Sequence, residues 1–419
     1  MSTIRTGMAV LAAVATAAGA SACGGNDDEG SGGGGGTPKT LKVVTSLPLQ
    51  GGLKEPTTAL VGGAKLALEQ AGGKAGSIKI TYESLDDSTA QTGSWDPAAV
   101  SQNARKAARD ESIAVYIGEF NSGASAISIP VLNEAGVPQI SPANTAVGLT
   151  SDDPGADEGE PEKYYPTGKR NYVRIVPKDT IQGAALATVM EQDECTKVAM
   201  ANDKEVYGAG LAKNIASSLE KQGVALVMNA GIDSKAPNFR SLADRAAAAG
   251  ADCFVFAGTS ATGGVQLYKD FAAALGGKAR LYGPDGVANA SVSDPAKGGV
   301  PTSVGRNLKL SVATLNPDSF PEAGQRFFKE FKAKYNVKNP DPYAIYGYEA
   351  MRLALDAIER SKTGRREDII EALFDTKDRD SVLGTYSIDE NGDTTLTDYG
   401  IYTVQDGQLV FDQTVKAAP

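Results

Sequence analysis

Four clusters of small polar residues each follow a short apolar run, and together they could hold a small charged ligand. The clusters are Asn-Ser-Gly at 121–123, Pro-Ala-Asn-Thr at 142–145, Thr-Ser-Ala-Thr-Gly-Gly at 259–264 and Gly-Pro-Asp-Gly at 283–286. Backbone N–H groups and hydroxyls suit a carboxylate, most of all where a helix begins, as one is expected to begin at Ser122. The carboxylate of Asp285 suits an ammonium. The two kinds of group together fit a zwitterion.

The order of secondary-structure patterns predicts how these clusters are placed. β-rich runs at 41–49, 78–86, 114–120 and 138–141 alternate with helical patterns at 57–73, 96–112 and 122–135. A second series with the same alternation begins near residue 180. This order predicts an α/β protein with two similar doubly wound lobes, each a mostly parallel sheet with helices on both faces. Since ligands bind outside the carboxyl ends of parallel strands, we expect the clusters to line a cleft.

Each cluster also has a simpler explanation. Ser122 is a good helix N-cap, and residues 142–145 are typical of an ordinary turn. Taken alone, each cluster fits this explanation better, because helix caps and small residues in β–α loops are common.

The sequence offers little for catalysis, nucleotide binding or metal binding. The chain has no histidine, which removes the commonest general base and the commonest metal ligand. Residues 258–264 lack the Gly-Lys-Ser/Thr of a P-loop, and residues 123–127 lack the final glycine of a nucleophile elbow. Asp86 and Asp87 with Asp285 could suggest a metal site, but adjacent carboxylates on a strand point to opposite sides. We therefore expect no cofactor, no metal and no enzymatic activity.

The N-terminus has the pattern of an export signal. Arg5 precedes a short apolar stretch at 8–18, and Ala-Ser-Ala-Cys at 20–23 is similar to a lipobox in which Cys23 is lipidated. Ala20 stands where leucine is usual, so cleavage by an ordinary signal peptidase stays open. A membrane-spanning helix is the other alternative, which the short, alanine-rich stretch disfavours.

A flexible tether is expected after this signal. The residues that follow the cysteine include five consecutive glycines, which is typical of a linker. We predict a signal peptide at 1–22, a lipidated cysteine with its tether at 23–40, and an extracytoplasmic body anchored to the cell membrane. The net charge of −10 disfavours nucleic acid as a partner.

Cys195 and Cys253 are predicted to form a disulfide. Cys195 precedes the first strand of the second series, at 197–203, and Cys253 opens the third, at 253–258. In the doubly wound order 2-1-3-4-5 these two strands are neighbours and start at the same edge of the sheet. The cysteines could then reach the Cα separation of about 4.4–6.8 Å that a disulfide needs, in a compartment that permits it. Two free buried thiols are the alternative.

Several segments, in order, resemble the leucine/isoleucine/valine-type solute-binding proteins of ABC transporters, which have the type 1 periplasmic-binding fold. The matching segments are 62–73 (GGAKLALEQAGG), 115–145 (VYIGEFNSGASAISIPVLNEAGVPQISPANT), 172–179 (YVRIVPKD), 197–215 (KVAMANDKEVYGAGLAKNI), 281–292 (LYGPDGVANASV) and 342–358 (PYAIYGYEAMRLALDAI). The resemblance covers nearly all of 41–411. It implies two lobes joined by crossing segments, with 41–175 plus 312–376 in the first and 176–311 plus 377–419 in the second.

The resemblance implies roles for individual residues. Ser122 would take a ligand carboxylate through its hydroxyl and backbone. Asn144 would offer its backbone carbonyl, and Thr145 its backbone amide and hydroxyl. Asp285 would pair the α-ammonium, and Tyr207 would close over the ligand from the second lobe.

Phe120 and Thr259 complete the predicted set of ligand contacts. The sequence departs from the family pattern in two places that shape the side-chain pocket. Residues 50–58 contain no aromatic residue, and Thr259-Ser260 stand where the family often has tyrosine. Both departures leave the identity of the ligand side chain open.

The expected function is that of a monomeric, lipid-anchored receptor that closes over a small zwitterion and delivers it to an ABC permease. The predicted ligand is an amino acid of branched-chain or related type. An extracytoplasmic hydrolase and a ligand-sensing subunit on the same scaffold are the alternatives. The lack of histidine and of an activated nucleophile speaks against the hydrolase.

Overall fold

A computed structural model describes residues 40–417, which form two α/β lobes, each built on its own sheet. Cys23, the signal peptide and most of the tether lie outside the described residues. Within the described part of the chain, no helix is both long and apolar enough to cross a membrane.

The first sheet contains six strands in the order β2-β3-β1-β4-β5-β6. The strands are β1 (Thr40–Leu47), β2 (Lys74–Ala75), β3 (Ile78–Asp86), β4 (Ile113–Gly118), β5 (Gln139–Ser141) and β6 (Tyr172–Arg174). The helices are α1 (Lys54–Gln70), α2 (Pro97–Arg109) and α3 (Ser122–Glu134). Apart from β2, all neighbours are parallel, which confirms the predicted doubly wound order.

The second lobe repeats this arrangement. It begins with α4 (Asp179–Gln192), β7 (Lys197–Asn202), α5 (Val206–Lys221), β8 (Ala225–Gly231), α6 (Arg240–Ala248), β9 (Cys253–Ala257), α7 (Gly264–Leu275) and β10 (Arg280–Gly283). It continues with two four-residue helices, α8 (Ala290–Ser293) and α9 (Thr302–Gly305), and with β11 (Leu308–Val312). Every residue of β9 is buried, as expected for a parallel strand covered by helices on both faces.

The C-terminal part of the chain supplies elements to both lobes. Its elements are α10 (Glu322–Tyr335), α11 (Ala344–Ser361), α12 (Arg366–Phe374), β12 (Arg379–Ser381), β13 (Gly384–Tyr386), β14 (Asp398–Gln405) and β15 (Gln408–Lys416). The three helices pack in the core of the first lobe, whereas β14 and β15 extend the second sheet as an antiparallel hairpin. The turn of that hairpin, Asp406-Gly407, has positive φ at both residues.

The lobe boundaries differ from the predicted ones in one place. We expected residues 377–419 to belong to the second lobe, but Tyr386 and Ile388 pack in the core of the first. The Arg379 guanidinium pairs with the Glu349 carboxylate of α11 at 2.7 Å, and the Tyr386 hydroxyl donates to the same carboxylate. This buried charge fixes the segment to the first lobe.

The structure contains the predicted disulfide between Cys195 and Cys253. Strands β7 and β9 are parallel neighbours, and Val198 lies opposite Cys253. The Cα atoms of the two cysteines are 5.9 Å apart. The bridge lies where these strands begin, so it is at the edge of the sheet opposite the strand ends that carry the polar clusters.

Candidate ligand-binding site

A small cavity lies between the lobes, at the carboxyl ends of the strands. Its volume is about 20 Å³. It is lined by Phe120, Asn121, Ser122, Ala143, Thr145, Tyr207, Thr259, Asp285 and Gly286. Six of the seven residues predicted to contact ligand are therefore brought together, and Asn144 is the exception.

The first lobe presents hydrogen-bond donors to this cavity. Ser122 is the first residue of α3, and its hydroxyl accepts a hydrogen bond from the Ala146 N–H at 3.3 Å. This bond joins the loops that follow β4 and β5. Within residues 40–417, the N–H groups of Ser122, Gly123 and Thr145 have no hydrogen-bond partner. These free donors at a helix N-terminus form a site for an anion.

Asn144 supports the site from behind. Its side-chain amide donates to the Phe120 carbonyl at 2.9 Å and accepts from the Tyr172 hydroxyl at 3.0 Å. Its backbone carbonyl, which we expected to face the ligand, accepts from the buried Arg174 guanidinium at 3.4 Å. The structure therefore places Asn144 as a link between loops and outside the cavity wall.

The second lobe presents the Asp285 carboxylate, which is almost fully buried. It accepts hydrogen bonds from Tyr207 at 2.7 Å and from the Gln182 amide at 2.6 Å. A third donor is the Tyr343 hydroxyl, which reaches Asp285 from the first lobe. A carboxylate can accept about four hydrogen bonds, so Asp285 can accept one more.

Tyr343 and Gln182 were missed by sequence reasoning. Tyr343 immediately precedes α11, in a segment that had been matched to a family helix without a role for this residue. Gln182 lies in the first turns of α4 and resembles any polar helical residue. Only the folded chain brings either of them to Asp285.

A second carboxyl group, that of Asp179, lies close to Asp285. It is fully buried, and within the described residues neither of its oxygens has a hydrogen-bond donor. Burial raises the pKa of Asp179 to about 8, and the nearby Asp285 charge raises it further, while Thr145 lowers it. The Asp179 N–H donates to the Thr145 carbonyl at 2.8 Å. The Asp179 carboxyl group is therefore mostly protonated at neutral pH, and a cationic group close to it would favour its ionised form.

Contacts at the rims hold the two lobes together. The Gly52 carbonyl of the first lobe accepts from the Ser260 hydroxyl of the second at 3.2 Å. Next to it, Lys297 pairs with Glu55 at 2.9 Å. The structure is therefore a closed conformation.

The N-terminus of α3 also meets the second lobe. A Cβ atom on Gly123 would lie 2.9 Å from the Trp95 ring and 3.4 Å from a carboxylate oxygen of Glu205. Glu205 precedes α5 in the second lobe, and burial, together with Asp203, raises its pKa to about 7. Glycine at 123 is needed for this close approach, which covers the anion-binding end of the helix.

The groups that suit an anion and the groups that suit a cation lie on different lobes. Donors for an anion lie on the first lobe, and carboxylates for a cation lie on the second. Sites for small ligands usually enclose about 300–1,000 Å³, so the lobes have to move apart to admit a solute into the present cavity.

These features define a class: an extracytoplasmic solute-binding protein with two lobes that close over a small molecule. The family model of the periplasmic binding proteins matches residues 40–408, and the chain belongs to this family. The fold class and the family resemblance predicted from the sequence are confirmed. The relatives are binding proteins, which confirms that this chain is not an enzyme.

Among named relatives, the chain is similar to the Leu/Ile/Val-binding protein BraC3 of Rhizobium johnstonii, with 27% identity over 87% of this chain and 91% of that protein. The fold is similar to that of the branched-chain amino acid transporter substrate-binding protein LivJ from Streptococcus pneumoniae, solved with isoleucine. There the TM-score is 0.76 and the identity 21%, over 90% of this chain and all of the other.

The fold is equally similar to an ABC transporter solute-binding protein from R. palustris in complex with benzoate. That comparison gives a TM-score of 0.74 and 22% identity, over 91% of this chain and 97% of the other. At such identities the two solved structures establish the fold and leave the ligand to be argued from the site.

Proposed function

We propose that this protein captures an amino acid with a branched-chain or related side chain and delivers it to an ABC permease. The observation that carries the proposal is the pairing of free N–H donors at Ser122 and Thr145 with the Asp285 carboxylate across one cavity. The ligand carboxylate would bind the donors, and its ammonium would bind Asp285. The names of the relatives support this ligand class.

An apolar side chain suits the rest of the cavity. The Phe120 ring lines the cavity and offers apolar surface there, and it packs against the Tyr343 ring with 5.0 Å between centroids. Aromatic rings of this kind favour burial of hydrocarbon over a charged side chain.

An aromatic carboxylate such as benzoate fits the site less well. It would use the donors at α3 but would bring no cation to Asp285 or Asp179. Asp285 is buried, and a buried carboxylate gains most from a ligand that supplies a charged donor. We therefore expect a zwitterion to bind more tightly than a simple organic acid.

Binding would begin on the first lobe and end with closure. The donors of α3 and of residue 145 are accessible when the lobes are apart, and closure adds Tyr207 and Asp285 from the second lobe. A ligand shifts the population toward the closed form only by its preference for that form. Delivery to a permease would follow from recognition of the closed protein.

A thermal-shift screen followed by calorimetry tests the ligand. L-leucine, L-isoleucine, L-valine and benzoate are compared, and a ligand at one hundred times its Kd should stabilise the protein by about 2.7 kcal/mol. The proposal expects stabilisation by at least one of the amino acids and a weaker response to benzoate. Stabilisation by benzoate alone would contradict it.

We also propose that a lipid on Cys23 anchors the protein to the cell membrane. The Cys23→Ser variant is expected to lose lipid labelling and to appear in the soluble fraction or as an uncleaved precursor. Lipid labelling at the wild-type level in that variant would refute the anchor.

A further inference from the structure

Two buried carboxyl groups, those of Asp87 and Glu119, lie behind the candidate binding site and have no place among the proposed ligand contacts. Asp87 follows β3 and Glu119 follows β4, on either side of the end of β1. Both residues have 0% exposure. Glu119 directly precedes Phe120, the first residue of the cavity wall.

Asp87 and Glu119 lie close enough for each carboxyl group to influence the pKa of the other. Ionised carboxylates only accept hydrogen bonds, so a hydrogen bond between the two groups would require a proton on one of them. Within residues 40–417, Asp87 Oδ1 and Glu119 Oε2 have no hydrogen-bond partner, and a proton shared between the two carboxyl groups would supply one. The other oxygen of each carboxyl group accepts a hydrogen bond from a neighbouring hydroxyl. Tyr116 donates to Glu119 at 2.6 Å, and Ser46 donates to Asp87 at 3.4 Å.

The surroundings favour retention of that proton. Burial raises the pKa of both carboxyl groups, and the charges of Glu119 and Asp86 raise that of Asp87 further. The groups that act on the pair most are carboxyls and hydroxyls, from β1, β3, β4 and α3, and none of them is a cation. Two neighbouring negative charges in a buried site would repel each other strongly.

The backbone of Glu119 connects this pair to both loops of the site. Its N–H donates to the Ser125 hydroxyl at 3.2 Å, and its carbonyl accepts from the Ser141 hydroxyl at 3.0 Å. Ser125 in turn donates to the Asn144 side chain, and Ser141 accepts from the Asn144 N–H at 2.9 Å. A displacement of Glu119 would therefore move the loops that carry the free donors of residues 122 and 145.

We propose that Asp87 and Glu119 share one proton at neutral pH and act as positioning residues that hold the anion-binding loops in place. The proposal rests on the proposed function for its effect on ligand affinity, but the shared proton itself can be measured without ligand. Loss of the proton would leave two buried like charges, which would separate and disturb both loops.

Infrared spectroscopy tests the proton directly. The wild-type protein at neutral pH is expected to show a protonated-carboxyl band that is absent from the Glu119→Gln variant. Asp179 and other buried carboxyl groups also contribute to this band. The spectrum of the variant is therefore subtracted from that of the wild type. An identical band in both would overturn the proposal.

Unfolding experiments without ligand test the energetic link. A carboxyl group whose pKa is raised in the folded state stabilises the fold at low pH. This contribution is lost as the pH rises through the folded-state pKa. The wild-type protein is therefore expected to lose stability more steeply than Glu119→Gln on the alkaline limb of the profile, which starts at about pH 4 and extends to the folded-state pKa. In Glu119→Gln the amide can donate to Asp87 at every pH. Parallel profiles for the two proteins would contradict the proposal.

The Asp110→Asn variant is the matched control. Its pairing with Lys42 lowers the pKa of Asp110 to about 2, so its contribution is lost at acid pH instead. This variant should change the acid limb of the stability profile and leave the alkaline limb as in the wild type.

Calorimetry with L-leucine as probe tests the effect on the site. Once the pH exceeds the pKa of the pair, wild-type affinity is expected to fall by up to about tenfold per pH unit, more steeply than that of Glu119→Gln. Equal slopes would overturn the positioning role. If no amino acid binds at any pH while the infrared and unfolding differences persist, the proposed ligand fails and the shared proton stands.

Discussion

At the scale of single residues, the closed site already contains a carboxylate that joins the lobes. Asp285 accepts hydrogen bonds from the Tyr207 hydroxyl of its own lobe and from the Tyr343 hydroxyl of the other lobe. The same carboxylate is available to a ligand ammonium, which would compete with or join these hydroxyls. We therefore propose that both closure and recognition of the ligand charge depend on Asp285.

Replacement of this carboxylate by an amide tests that role. Asp285→Asn keeps the shape of the side chain but removes its charge, so it should lose about 1.5–3 kcal/mol of amino-acid binding, a weakening of about 10- to 150-fold. Isothermal titration calorimetry measures the change.

The control for this variant is Asp270→Asn. Asp270 is also a buried carboxylate of the second lobe, but it accepts from the Phe239 N–H at 2.6 Å, away from the cavity. It should change stability and leave affinity unaltered. Unchanged affinity in Asp285→Asn would contradict the ammonium role.

Removal of the Ser122 hydroxyl tests the anion side of the site. Ser122→Ala should weaken binding by about 1–3 kcal/mol, because a hydroxyl donor to the ligand carboxylate is lost while the backbone N–H groups remain. Ser218→Ala, at a buried serine of α5, is the matched control. Both variants are titrated with the same amino acid. Wild-type affinity in Ser122→Ala would show that the Ser122 hydroxyl serves only to accept the hydrogen bond from Ala146.

At the scale of elements, the strands of the second lobe are joined at one edge and carry the site at the other. The disulfide connects the starts of β7 and β9, while Thr259 follows the end of β9. A covalent link of this kind lowers the entropy of the unfolded chain without contacting the ligand.

The Cys195→Ala/Cys253→Ala variant tests this separation. The bridge spans a sequence separation of 58 residues, and its loss should cost about 4 kcal/mol of unfolding free energy on the chain-entropy account. Denaturant unfolding measures this loss, and calorimetry should find the same affinity as in the wild type. A large loss of affinity with unchanged stability would be the opposite of what we expect.

At the scale of the whole molecule, closure brings charged groups of the two lobes together at the rims. The loop between β5 and β6 reaches the second lobe, where Asp157 pairs with Lys213 of α5 at 2.5 Å. Both side chains are largely exposed, at 69% and 50% respectively. Such a pair contributes little energy, but in this closed conformation it links the two lobes.

Charge reversal at this pair tests whether it contributes to closure. Lys213→Glu should weaken ligand affinity by about 0.2–1 kcal/mol at low salt, because two like charges then oppose the closed form. The effect should shrink as salt is added. The double variant Lys213→Glu/Asp157→Lys restores opposite charges and should recover affinity. A loss that is independent of salt, or that persists in the double variant, would show that the pair does not act through charge.

The local sequence alone determined the elements and the strand-end chemistry. Alternating β-rich and helical patterns predicted both doubly wound lobes. Local residue types also account for details such as the N-cap of α2, Asp96, whose side chain accepts hydrogen bonds from the Ala98 and Ala99 N–H groups. The neighbouring order of β7 and β9 followed from the doubly wound pattern and placed the disulfide. These features depend on short-range backbone preferences, which a sequence carries directly.

Only the tertiary structure decided which side chains meet at the site. Tyr343 reaches Asp285 across 58 positions of the chain, and the carboxyl groups of Asp87 and Glu119 meet through the arrangement of β3, β1 and β4. Asn144, in contrast, faces away from the cavity because Arg174 and Tyr172 hold it. Such contacts follow from how two lobes pack and close, and the hydrogen-bonding capacity of a residue does not specify which distant partner will satisfy it.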